Sequence, residues 1–103
     1  PIPKFPPVKR DISILIGTDV PYAEIEKAIN ELKPEYLTSF RVIDVYEGKP
    51  LPPGKRSITI SLSFQHPEKT LRDSEVDAMF DKLVSGLIKK GFIIRGINDE
   101  GTG

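Results

Sequence analysis

The sequence predicts an α+β sandwich in which two helices cover one face of a four-stranded antiparallel sheet and leave the other face bare. Three observations lead there. From Ser57 to Gln65 the apolar residues Ile58, Ile60, Leu62 and Phe64 alternate with polar ones, the period-two pattern of a half-buried strand. Two segments, Pro21 to Leu32 and Asp73 to Lys90, repeat apolar residues at helical spacing instead. The order strand, helix, strand, strand, helix, strand runs once through 103 residues, without internal repeat, which is enough chain for one core.

The prolines of Pro1 to Pro7 exclude helix or central strand, so this segment is expected to lie extended, anchored by Phe5. Arg10 to Ile16 is the first strand, with Ile12, Ile14 and Ile16 on the core face and Asp11, Ser13 and Leu15 on the other. Gly17 ends it. Thr18 and Asp19 offer side-chain oxygens near a helix start, and Pro21 suits the first helical position. Ile25, Ala28, Ile29 and Leu32 form the apolar stripe of that helix, and Lys33 and Pro34 stop it.

Phe40 to Tyr46 is the second strand, with Ile43 and Val45 on one face and Phe40, Val42, Asp44 and Tyr46 on the other. A proline-rich basic loop from Glu47 to Arg56 leads into the third strand. It is far longer than a tight hairpin turn. The second helix places Val76, Met79, Phe80, Leu83, Val84, Leu87 and Ile88 at helical period. Acidic residues lie at its start and lysines at its end, with Gly91 as the left-handed stop. Phe92 to Arg95 is a short last strand that turns Arg95 to the open face. The expected domain is therefore residues 1–103 as one unit, with a core from about 5 to 95 and a flexible tail over 96–103. This is the ferredoxin-like βαββαβ arrangement.

Composition narrows the chemistry. The absence of cysteine excludes disulfides, thiolate metal sites and a cysteine nucleophile, and agrees with a cytoplasmic location. No apolar run approaches the roughly 18 to 20 residues of a membrane span, so no membrane partner is expected. The opening at Pro1 rather than a methionine suggests a piece of a larger protein. Net charge is zero, yet the two helical segments hold seven acidic residues (Glu24, Glu26, Glu31, Asp73, Glu75, Asp77, Asp81) and four basic ones (Lys27, Lys82, Lys89, Lys90). Strands and loops keep the basic excess.

Enzymatic readings find little support in the residues. His66, the only histidine, precedes a proline and has no partner motif. Asp73 and Asp77 on a helix start are explained by dipole compensation. No phosphate-cradling glycine pattern occurs, and Gly17 to Pro21 lacks the arginine that acylphosphatases, which share this architecture, carry after their first strand. Binding suits the residues better. On neighbouring strands of one open face Tyr46 offers a ring for stacking, Asp44 two acceptors for base-edge donors and Ser57 a hydroxyl, the combination that unstacked RNA bases take. The same residues fit structural roles: Asp44 paired with Arg56 or Arg95, Tyr46 packed beneath the proline loop. A regulatory or small-molecule module and a purely structural docking domain also remain open at this level.

Five segments read together favour the RNA reading over these alternatives: F-P-P-V-K-R-D-I-S (Phe5 to Ser13), V-I-D-V-Y-E-G-K-P-L-P-P-G-K-R-S (Val42 to Ser57), L-S-F-Q (Leu62 to Gln65), T-L-R-D-S-E-V (Thr70 to Val76) and I-I-R (Ile93 to Arg95). In this order they resemble the ferredoxin-fold anticodon-binding domain at the C-terminus of the phenylalanyl-tRNA synthetase beta subunit. The likeness runs from Phe5 to Arg95. It implies a non-catalytic domain that packs on the anticodon stem-loop of the phenylalanine tRNA. Carried over by position, Asp44, Tyr46 and Ser57 would contact or stack on an anticodon base, Ile12 and Ser13 would border it, and Arg95 would support or contact the RNA. Arg10 belongs to the same set or, with Asp11, holds the N-terminal segment on the sheet. The domain itself implies no cofactor. The parent enzyme would use ATP and magnesium, and the other partners would be the rest of the beta subunit and the alpha subunit. One departure stands out: Arg72 replaces the threonine that, with Glu75, would make a capping box, which leaves Asp73 as the expected cap.

Overall fold

The computed structural model describes residues 5–99. Its elements are β1 (Val8–Gly17), α1 (Tyr22–Leu32), β2 (Leu37–Glu47), β3 (Lys55–Phe64), α2 (Asp73–Lys89) and β4 (Ile93–Asp99). The sheet order is β2-β3-β1-β4, with every neighbouring pair antiparallel. This is the ferredoxin-like sandwich, with both helices on one face. The core lies between sheet and helices, where Ile12, Ile14, Ile58, Ile60, Leu62 and Phe64 meet Ile25, Ile29, Val76, Leu83 and Leu87. Truncating any one of these to alanine is expected to cost about 2–5 kcal/mol.

The helices follow the predicted stripes with one exception, Ile88, which is exposed. Pro21 sits one position before α1 rather than inside it, and no side chain caps that end. At α2 the cap is Arg72, not Asp73. Arginine has no acceptor, so only half of a capping box forms: the Arg72 N–H donates to Glu75 Oε1 at 2.9 Å. Gly91 adopts φ +100° and stops α2 as expected. The two helices cross closely at Gly86, where a Cβ would lie 2.7 Å from Leu32 Cδ2.

Three sequence expectations change. First, β4 does not end at Arg95: it continues to Asp99 and pairs with β1 as far as Arg10. Residues 100–103 of the expected tail, and the start of the proline segment, lie outside the described residues. Secondly, Phe40 and Val42 face the core, because they stand opposite Leu62 and Ile60. Strict alternation would bury Asp44 and Tyr46 with them. A bulge at Ile43 resets the phase, so that Asp44 stands opposite Thr59 and Tyr46 opposite Ser57, on the open side. Val45 then stands opposite Ile58 but remains 53% exposed, and bulged Ile43 is 44% exposed.

Thirdly, Arg10 and Ile12 belong to the helix-covered face. Their opposite numbers on β3 are Leu62 and Ile60, both core residues. Ile12 is wholly buried, and the guanidinium of Arg10 reaches Asp77 at 3.2 Å and Asp73 at 3.5 Å on α2. Among the described residues, a hydrogen bond from Gln65 Nε2 to the Phe5 carbonyl ties the N-terminal segment to the end of β3.

Candidate nucleic-acid interface

The uncovered face is a ladder of side chains whose rungs follow from the register. The first rung carries Tyr46, Ser57, Leu15 and Ile93; the second, Asp44, Thr59, Ser13 and Gly96. On the third stand Arg41, Ser61 and Asp11, and on the fourth Ser39, Ser63 and Lys9. Successive rungs are about 7 Å apart, two residues of strand rise. Along β3 every outward residue from Ser57 to Ser63 is a serine or threonine, so the floor is low and rich in hydroxyls. On the second rung Ser13 Oγ and Thr59 Oγ1 lie 2.7 Å apart and bond to each other. Each oxygen keeps capacity for a further partner.

Tyr46 stands at one end of this floor, 42% exposed, and with Leu15 and Ile93 makes an apolar ledge across the first rung. Its hydroxyl donates to the Lys49 carbonyl oxygen, which ties the ring to the proline loop. The loop is itself fastened: Leu51 is buried, its N–H reaches the Gly48 carbonyl at 2.8 Å, and Thr18 N–H reaches the Gly54 carbonyl at 2.9 Å. The ring is thus braced by the turn, with 42% of the residue still open.

Asp44 is exposed and, among the described residues, makes no ion pair. Neither of its candidate partners takes it: Arg56 donates to the Val20 carbonyl at 2.7 Å, and Arg95 stands exposed at the β4 bulge beside Ser13 and Ile14. Among the described residues, four cations, Lys9, Arg41, Lys55 and Arg95, border the face against two carboxylates, Asp11 and Asp44.

Of the residues singled out in the sequence, Asp44, Tyr46 and Ser13 come together on adjacent rungs, with Arg95 at their margin. Ser57 shares the rung of Tyr46 but is only 2% exposed, set between Tyr46 and Leu15. It supports the platform instead of presenting a free hydroxyl. Arg10 and Ile12 are absent from this face for the reason given above. Thr59 was missed, although its place in the Ile58 to Phe64 alternation already puts it outward; its value as the partner of Ser13 comes only from the β1–β3 register.

Elsewhere, His66 Nδ1 accepts the Glu68 N–H at 2.9 Å and its ring tilts against Tyr36, with centroids 4.6 Å apart. Among the described residues no group of three or more histidine, cysteine, aspartate or glutamate residues is placed to hold a metal ion. No described helix is long and apolar enough to cross a membrane.

Comparison with known proteins shows the family to which the chain belongs. The model of the ferredoxin-fold anticodon binding domain matches residues 3–95. A phenylalanine–tRNA ligase beta subunit of Staphylococcus epidermidis is 44% identical over 95 residues, 92% of this chain and 12% of that protein. The beta subunit of Geobacillus kaustophilus is 37% identical over 97 residues, 93% of the chain and 12% of the relative. That of Pseudomonas putida is 36% identical over 84 residues, 82% of the chain and 11% of the relative. The chain therefore spans about an eighth of the curated relatives it matches.

Proposed function

The chain belongs to the ferredoxin-fold anticodon-binding domain family, and from that premise we propose that it is the tRNA-recognition module of a phenylalanine–tRNA ligase beta subunit. Its open sheet face takes the anticodon loop of the phenylalanine tRNA. One observation carries the reading: Tyr46, Asp44 and the Ser13–Thr59 hydroxyl pair stand on adjacent rungs of a face that no helix covers. A splayed base stacks on the Tyr46 ring while its donors meet the Asp44 carboxylate and its neighbours touch the hydroxyls. The surrounding cations draw in the phosphates.

In this reading the domain contributes position and selectivity but no reacting group. ATP and magnesium act elsewhere in the parent ligase, which the alpha subunit and the rest of the beta subunit complete in the cytoplasm. Alone, the chain is inert as a ligase and binds RNA weakly, because one sheet face offers few contacts and zero net charge gives little long-range attraction.

The test is a titration of the chain with the anticodon stem-loop of the phenylalanine tRNA. Tyr46→Ala is expected to weaken binding by about 1–3 kcal/mol while leaving the unfolding curve in place. Unchanged affinity would remove the stacking site, and an unfolded variant would make Tyr46 a structural residue of the loop.

A further inference from the structure

The third and fourth rungs are not used by the base-stacking site, yet they carry its chemistry forward along the sheet. Arg41 is exposed, and among the described residues it makes no ion pair, although Asp11 shares its rung across Ser61. An arginine and an aspartate on one rung that leave each other alone are both available to a ligand. The charges are also ordered. Asp44 on β2 and Asp11 on β1 lie on one diagonal of the ladder, and Arg41 on β2 and Lys9 on β1 lie on the next, one rung further from Tyr46. Between the strands that carry them, Ser61 and Ser63 keep the floor low enough for a chain to lie flat.

A single strand of RNA has the matching order, base edges along one side and phosphates along the other. Resting on the RNA reading above, we propose that Arg41, Ser61, Asp11 and Lys9 form a second nucleotide subsite, adjacent to the base stacked on Tyr46. A backbone phosphate sits against Arg41 and Lys9, and the base edge of the neighbouring nucleotide meets Asp11. A carboxylate only accepts hydrogen bonds, so Asp11 favours guanine, adenine or cytosine, which present amino groups, over uracil, which presents one imino donor. The face then reads two successive nucleotides, with Tyr46 and Asp44 taking the first.

The proposal is tested by measuring binding of the chain to the same stem-loop at several salt concentrations. Arg41→Ala is expected to weaken binding several-fold and to lower the slope of log affinity against log salt by about 0.7, the loss of one single-strand phosphate contact. Arg41→Lys keeps the slope. Asp11→Asn abolishes the penalty for placing uracil next to the stacked base. Since Arg41 is exposed, its variants should unfold with the parent curve. If Arg41→Ala changes neither affinity nor slope while Tyr46→Ala weakens binding, the second subsite is wrong and the stacking site stands. If neither variant changes binding, the RNA reading fails and this inference fails with it.

Discussion

Tyr46 and Arg10 show how little a residue's type says about its job until its face is known. The phenol of Tyr46 is tied to Lys49, yet two-fifths of the residue stays open, so the bond braces a ring that remains accessible. Arg10, by type an obvious phosphate ligand, is 4% exposed on the other face and joins β1 to Asp73 and Asp77. Arg10→Ala is therefore expected to lower stability by about 1–3 kcal/mol, read from a urea midpoint, without changing affinity for the stem-loop. Loss of RNA affinity at unchanged stability would contradict the assignment. The outward placement of Asp44, Tyr46 and Ser13 was legible from residue chemistry and motif, while their contact with RNA belongs to the proposal. The fate of Ser57 was not, because burial by Leu15 and Tyr46 depends on strands distant in sequence.

At the scale of elements, the ends of α2 carry testable energetics. The Glu75 carboxyl is held below its ordinary value, first by the hydrogen bond from Lys69 Nζ at 2.8 Å and next by the Arg72 N–H. A carboxylate lowered in this way stabilises the folded state above its unfolded value, and that contribution disappears as pH falls through the folded one. Glu75→Gln is expected to flatten this part of the acid dependence of unfolding, and superimposable pH profiles would show that the contact contributes nothing. At the other end, Gly91 holds φ +100°, so Gly91→Ala should cost about 1–2 kcal/mol, measured by thermal or urea unfolding.

The six elements were legible because each has its own periodicity and punctuation. The phase of β2 was not. A bulge at Ile43 depends on how β2 meets β3, and the run from Phe40 to Tyr46 gives no local sign of it. Without it the aromatic ring and the carboxylate would point into the core. The extension of β4 was missed for a similar reason: Gly96 has the look of a chain end, but β1 supplies backbone partners from Ser13 back to Arg10.

Across the whole molecule, zero net charge conceals two unlike sides. The two helical segments hold seven acidic residues against four basic ones, and Lys90 reaches across them to Glu31 at 2.7 Å, an exposed pair of little energetic weight. Among the described residues, the bare side carries four cations against two carboxylates, together with the hydroxyl floor. In the proposed RNA reading, an acidic back and a basic front would orient the domain toward a phosphate backbone without making it a general polyanion binder. The proposed function requires the bare side to be the one that meets RNA. The most direct measurement is a map of backbone amide shifts of the chain during titration with the anticodon stem-loop. Changes are expected at Ser13, Asp44, Tyr46, Thr59 and Arg95, with α1 and the outer turns of α2 silent. Changes gathered on the helices, or none near Asp44 and Tyr46, would contradict it.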